Sequence, residues 1–377
     1  MKNENEKFNR LDFCVPCLFG LEGLCADELR RLGMDGVKAE NGRVYFSGNE
    51  RDIATANINI RTGERVLLVA GEGRADSFDM LFELVKAMEW ERYIPVDGAF
   101  PVKGHSLNSK LVSLPDCQRI IKKAVVERLK SRYKLTWLKE TGEEYQIQFR
   151  IMGDVASLYI DTSGVGLHKR GYRPVGNEAP LRETLAAAIV KLSRYRGREP
   201  VCDPFCGSGT IPIEAALAAL NRAPGLNRNY AAQKWPWLDG KIWDSAVEEA
   251  KSREYRGDYD IYGGDVDPKN IAIAAENAKR AGVGDYIRFE AADAAMFSRN
   301  DTGGMIMSNP PFGERVMLPS EAEEIYRKFG AAYHKLPSWK AYILSSHTEF
   351  ERAFGKKAVK KRKLYNGMIK CDLFMYF

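Results

Sequence analysis

The sequence predicts an α/β protein in two unequal parts, a smaller α+β region followed by a mostly parallel, doubly wound sheet with an antiparallel hairpin at its edge. Three observations predict it. From Glu199 onward, short apolar runs alternate with amphipathic helical stretches, the rhythm of successive βα units. The chain closes on "KRKLYNGMIKCDLFMYF", two β runs around Asn366-Gly367, a strong hairpin signal. The N-terminal part mixes strands and helices without that rhythm, as compact α+β units do. A length of 377 residues allows two or three domains.

The elements follow in order. "RLDFCVPCLFG" reads as a strand, and "LEGLCADELRRLG" as an amphipathic helix stopped by Gly33. "GRVYFSG" and "RVLLVAGEGRA" are strands, and "SFDMLFELVKAMEW" has helical spacing. "AFPVKGHS" is a strand, and "LPDCQRIIKKAVVERLKSRY" is a helix with a Pro-Asp start. "EYQIQFRIMGDVASLYIDTS" predicts a hairpin turning at Gly153-Asp154. The Gly-rich, basic stretch "SGVGLHKRGYRPVGNEAP" is expected to link the two halves, leaving the C-terminal half able to bind its ligand without residues 1–163. Beyond it, "EPVCDPF", "DIYGGD", "YIRFEAAD", "GMIMSN" and "WKAYILSS" are strands; "GTIPIEAALAAL" and "DPKNIAIAAENAKRAG" are helices between them.

Composition excludes some classes. Hydrophobic residues make up 45% and charged residues 29%, ordinary for a globular protein, and no apolar run is long enough to span a bilayer. The polar N-terminus "MKNENEKFNR" lacks the apolar core of a secretory signal, so the expected location is cytoplasmic, away from membranes. A net charge of +6 is compatible with nucleic acid without requiring it. Seven scattered cysteines fit reduced thiols, and the single "CVPC" lacks the further ligands a closed zinc site needs.

The chemistry is written at the ends of four successive strands. "DPFCGSGT", Asp203 to Thr210, joins the first strand to its helix. Gly207 and Gly209 permit a tight turn and close backbone approach. The loop is neither GxGxxG nor a Walker-type phosphate loop, and its leading acid suits a cationic or amino-bearing ligand. "YGGDVDPKN" ends the second strand with Asp265, an acceptor for ribose hydroxyls, and Asp267, which before Pro268 reads as a helix cap. "EAADAAMF" ends the third with Asp293, placed to read an adenine amino group. "SNPPFGER" ends the fourth. Two adjacent prolines stop the strand abruptly and hold Asn309 and Phe312 rigidly at its tip. Any one of these residues alone is explained as a cap or turn; four in register are not.

With those motifs in place the sequence resembles the amino-methylating class I S-adenosylmethionine-dependent methyltransferases. "CLFGLEGLCADELRRLG" resembles the N-terminal segment of proteins carrying a THUMP domain, an RNA-binding module, and "AFPVKGHSLNSKLVSLPDCQRIIKKAVVERL" resembles that domain itself. "APLRETLAAAIVKL" resembles the segment that lines the methionine side of the pocket, which brings in Pro180 and Thr184. The nearest family is the bacterial 23S rRNA guanine-N2 methyltransferase group, often labelled adenine-specific DNA methylases.

The resemblance implies a ferredoxin-like unit over 1–68, a THUMP domain over 69–163, a linker over 164–180, and a Rossmann-like methyltransferase domain with a seven-stranded sheet over 181–377. It implies that Asp203, Pro204, Phe205, Cys206, Gly207, Ser208, Gly209, Thr210, Asp265, Val266, Asp293 and Ala294, with Pro180 and Thr184, hold S-adenosylmethionine and release S-adenosylhomocysteine. Asn309, Pro310, Pro311 and Phe312 are then the catalytic set, with structured RNA, foremost 23S rRNA, as partner and no metal expected.

An exocyclic amine is a poor nucleophile because its lone pair is delocalised into the ring. The Asn309 side-chain and Pro310 backbone carbonyls are expected to accept its two N–H bonds, and Phe312 to stack on a base taken out of its helix. A sulfonium already donates methyl readily, so holding donor and acceptor in line contributes much of the acceleration. Guanine N2 and adenine N6 both satisfy this chemistry; a tRNA substrate, an adenine in DNA, and a non-catalytic RNA assembly factor are the alternatives.

Two basic stretches stay open on sequence grounds. Trp235, Trp237 and Trp243, with Arg222, Arg228 and Lys234, either stack and steer RNA or cover the sheet. "KKAVKKRK" either contacts phosphate or protects an edge strand.

Overall fold

The computed structural model describes residues 10–174, 181–311 and 318–377. The N-terminal half contains strands β1 (Leu11–Pro16), β2 (Asp35–Glu40), β3 (Arg43–Gly48), β4 (Leu67–Arg74), β5 (Val102–Leu107), β6 (Ile147–Met152) and β7 (Val155–Asp161). Its helices are α1 (Glu22–Arg31), α2 (Glu50–Asn59), α3 (Phe78–Ala87) and α4 (Leu114–Tyr133). Among the described residues these strands form one sheet in the order β2-β3-β1-β4-β7-β6-β5, antiparallel except for the β5–β6 pair. The expected β6–β7 hairpin turns at Gly153 and Asp154, both with positive φ. Ser113 caps α4 through its hydroxyl, and a proline follows in the first turn, where no intrahelical N–H is missed.

The C-terminal half runs α5 (Glu183–Leu192), β8 (Val201–Asp203), α6 (Thr210–Ala219), α7 (Lys241–Ser252), β9 (Ile261–Asp265), α8 (Pro268–Arg280), β10 (Ile287–Ala291), β11 (Gly304–Ser308), α9 (Pro319–Tyr333), β12 (Trp339–Ser345), α10 (Phe350–Phe354), β13 (Lys360–Asn366) and β14 (Ile369–Tyr376). Its sheet has the order β10-β9-β8-β11-β12-β14-β13. Strands β10, β9, β8, β11 and β12 are parallel, and β14 is antiparallel to both its neighbours. The expected Rossmann-like sheet with an antiparallel edge hairpin is therefore present, behind an α+β region. The strand order reverses between β8 and β11, and doubly wound sheets bind ligands outside that point, at the carboxyl ends.

The two halves share one interior. Tyr230, Trp235 and Trp243, from the segment between α6 and β9, are buried in the same apolar cluster as Ile53, Ile58, Tyr145 and Ile147 of the N-terminal half. Trp235 is 1% exposed, stacks on Tyr145 at 4.8 Å and donates its Nε1–H to the Glu144 carbonyl at 3.1 Å. Trp243 stacks on Tyr230 at 5.1 Å. The tryptophans thus fasten one half to the other. Trp235 and Trp243 are too buried to form a stacking platform, Trp237 packs partly buried against the same cluster, and the surface they cover is the N-terminal half. Arg228 and Arg222 are likewise occupied: the first donates to the carbonyls of Gly166 and Lys169, the second forks onto Glu254.

Polar contacts join the halves as well. Glu28 pairs with Lys191 at 2.8 Å, and Arg61 donates to the Leu217 and Arg222 carbonyls. In the expected linker, Leu167, Arg170 and Tyr172 are buried, and Arg170 faces Glu214 at 3.4 Å. The "KKAVKKRK" run enters the edge strand β13, where Lys361 pairs with Glu351 at 2.8 Å and Lys356 lies over the Tyr333 ring. That arrangement fits edge protection.

Candidate active site

Each parallel strand delivers its polar residue to the same end of the sheet. β8 ends on Asp203, which is 2% exposed. Its Oδ1 accepts from Phe205 N at 3.1 Å and from Ser308 Oγ at 2.6 Å, while Oδ2 has no partner among the described residues. Burial pushes its carboxyl up to about 7, reinforced by the negative charge of Asp265 and opposed by the two hydrogen bonds. Ser308 is the residue before Asn309, so the "SNPP" strand end and the "DPF" strand end are physically tied across β8 and β11.

The turn into α6 depends on two glycines. Gly207 and Gly209 have φ of 52° and 82°, and a Cβ on Gly209 would lie 3.0 Å from the Ala274 Cβ. Only glycine adopts that region without strain while lying so close to α8. The loop is pinned from below by Cys206 N to Gly264 O at 2.8 Å. It is pinned from the side by Asn277, whose Nδ2 donates to the Ser208 carbonyl at 3.0 Å.

Asp265 ends β9 and ties three pieces together. Its Oδ2 accepts from Gly207 N at 3.0 Å, and its Oδ1 from Asp267 N at 2.9 Å and Asn270 Nδ2 at 3.0 Å. Asp267 caps α8 through Lys269 N, the structural role its position before Pro268 suggested. Val266 is exposed beside Asp265. Asp293 follows β10 and accepts from Ala295 N at 2.9 Å. Pro204, Asp293 and Ala294, with Tyr262, Gly264 and Met296, line a cavity of about 270 Å³.

At the tip of β11 the Asn309 Oδ1 is buried, with no hydrogen-bond partner among the described residues. A buried acceptor left unpaired costs about 1–3 kcal/mol, so the fold tolerates a penalty at this atom. Pro310 is buried beside it, and the Pro311 carbonyl accepts from Tyr326 Oη at 2.7 Å, which fixes the loop's direction from α9. Thr210 Oγ1 accepts from Arg173 at 2.9 Å. Thr184 is fully buried and donates its hydroxyl to Glu64 at 2.7 Å, so its side chain faces the N-terminal half. Pro180 and Phe312 lie outside the described residues. Sequence reasoning missed Ser308, Asn277, Arg173 and Tyr326. Only Ser308 had a signal, its position one residue before the Asn-Pro-Pro turn.

Residues 170–374 match a family model described as RMKL-like, methyltransferase domain. Residues 12–67 match an RlmL ferredoxin-like domain and 75–161 a THUMP domain. The chain belongs to the RMKL-like methyltransferase family. "Putative RNA methyltransferase YpsC" of Bacillus subtilis (strain 168) is 44% identical over 95% of this chain and 94% of its own. The "Ribosomal RNA large subunit methyltransferase K/L" of Psychromonas ingrahamii is 34% identical over 97% of this chain, which spans 50% of that relative's length. The crystal structure of "SMU.472, a putative methyltransferase complexed with SAH" superposes with a TM-score of 0.92 at 39% identity, covering 98% of each chain. No described helix is long and apolar enough to cross a membrane.

Proposed function

We propose that the chain is an S-adenosylmethionine-dependent RNA methyltransferase that modifies N2 of a guanine in 23S rRNA. The observation that carries the reading is the buried Asn309 Oδ1 at the end of β11, an acceptor held in place with no group to accept from among the described residues. It supports catalysis over a purely RNA-binding assembly role, because a scaffold gains nothing from such a penalty. The match of residues 75–161 to a THUMP domain and the names of the YpsC and K/L relatives support RNA as the substrate class. The K/L relatives support the large-subunit rRNA.

The residues present fit the cofactor. The glycine turn holds its loop close against α8, where a Cβ on Gly209 would crowd Ala274, and the free Oδ2 of Asp203 offers a carboxylate to an ammonium group. Asp265 and Val266 would hold the ribose, and Asp293 with Ala294 the adenine. When bound, S-adenosylmethionine supplies a methyl group on a sulfonium. Asn309 Oδ1 and the Pro310 carbonyl orient the target amine by accepting its N–H bonds, and these acceptors strengthen as positive charge develops on nitrogen. The Tyr326 bond to Pro311 and the Ser308 bond to Asp203 keep both ends of the site in register.

The nucleoside decides the reading. The enzyme is incubated with labelled cofactor and, separately, protein-free 23S rRNA, tRNA and DNA, and the labelled product is hydrolysed and identified. N2-methylguanosine in 23S rRNA is expected. The same nucleoside confined to tRNA overturns the substrate, and N6-methyladenine in DNA overturns the function.

Cofactor affinity is expected to depend on pH through Asp203. A carboxyl whose proton affinity rises on folding binds protons more tightly in the native than in the unfolded chain. Its contribution to stability is therefore present at low pH and lost as pH rises from about 4 to about 7. The ligand ammonium needs the ionised form, so affinity should fall by up to about tenfold per unit as pH drops below 7. Calorimetry across this range checks it. The same slope in Asp203→Asn would place the titrating group elsewhere.

A further inference from the structure

A second cavity, of about 800 Å³, opens between the segment that joins the two halves and the loop after α6. Its walls include His168, Lys169, Arg173, Arg182 and Arg228, with Glu183 the acidic residue among them. Two of the cations are matched: Arg173 pairs with Glu183 at 3.0 Å, and Arg182 with Glu64 of the N-terminal half at 3.6 Å. Lys169 and Arg228 have no carboxylate within ion-pair distance among the described residues. Arg228 is spent on backbone carbonyls, including that of Lys169 at 2.9 Å, which fixes the segment that carries Lys169. Lys169 itself is exposed.

One wall of the cavity is tied to the glycine turn. Arg173, one of its walls, donates to Thr210, the first residue of α6 and the end of the glycine turn. His168 Nδ1 meets Glu64 Oε2 at 3.1 Å, and Thr184 meets the other oxygen of the same carboxylate. Glu64 of the N-terminal half thus holds His168, Arg182 and Thr184 beside the cavity, and Arg173 links its wall to the residue that ends the glycine turn. A polyanion delivering one base to Asn309 would meet unmatched cations here that neutralise its backbone.

We propose that this cleft holds the sugar–phosphate backbone of single-stranded RNA beside the methylated nucleotide, with Lys169 directly on a phosphate. The inference rests on the RNA methyltransferase reading above. The full-length protein is titrated with a labelled single-stranded RNA oligomer over a range of salt. Leaving one phosphate of a single strand without its cation should lower the salt slope by about 0.7 and weaken binding about fivefold near 0.1 M salt. Lys169→Glu is expected to weaken RNA binding at least that much while binding S-adenosylmethionine normally.

Lys335→Glu makes the same charge change just before β12, at the opposite end of the parallel strands, and is expected to bind RNA as the wild type does. Wild-type affinity and slope in Lys169→Glu, or an equal weakening in Lys335→Glu, would overturn the cleft while leaving the RNA reading intact. A wild-type protein that binds no RNA would remove both.

Discussion

Replacing Asn309 by alanine should reduce kcat by about 10²- to 10³-fold, the usual consequence of deleting one preorganised polar group at the reacting centre. Cofactor affinity should be unchanged, because no cofactor-binding residue in the site depends on the Asn309 side chain. The same substitution should leave thermal stability unchanged or slightly higher. The Asn309 Oδ1 is buried without a partner among the described residues, and removing an unsatisfied acceptor relieves a cost. A structural asparagine would behave oppositely, losing stability and keeping turnover. Single-turnover kinetics, cofactor calorimetry and a melting curve on one preparation separate these outcomes. If kcat survives and the melting temperature drops, Asn309 is a framework residue and the proposed chemistry has lost its centre.

Much of this site was legible because βα units place their chemistry at strand ends. Asp203, Asp265, Asp293 and Asn309 each stand at or just past the last residue of an apolar run, so the topology alone brings them to one edge. The final hairpin was legible from Asn366-Gly367, since Gly367 takes a positive φ with no Cβ to oppose it. The bonds that hold the site together were not legible. Ser308 reaches Asp203 across 105 positions and Asn277 reaches the Ser208 carbonyl across 69, and nothing local marks either partner. Strand β2, "DGVKAE", was missed for a different reason. It is mostly exposed at the edge of its sheet and has no buried alternation to announce it. The Trp-rich segment stayed open for a third reason. Its spacing showed aromatic residues with cations, but only the tertiary structure shows that Tyr145 occupies the face of Trp235.

That packing predicts interdependent halves, where the Gly-rich stretch suggested independent ones. A fragment beginning at residue 164 should fail to fold cooperatively. Tyr230, Trp235 and Trp243 would lose the N-terminal side chains that bury them, at about 1.5–3 kcal/mol for each large apolar side chain returned to water. The three together approach roughly 5–9 kcal/mol, against a whole-domain stability of about 5–15 kcal/mol. Polar losses add to this. Lys191 would lose Glu28, and the Leu217 and Arg222 carbonyls would lose Arg61. Arg170 would keep Glu214 but lose the Arg61 carbonyl that accepts its Nη2–H at 2.5 Å, in a pocket where Arg170 is 3% exposed. A buried guanidinium with fewer acceptors is costly in itself. The expected fragment binds a hydrophobic dye, melts without a sharp transition and binds cofactor weakly. A fragment that melts cooperatively near the temperature of the full chain, with full cofactor affinity, would show that the shared cluster is a docking contact between two independently stable domains.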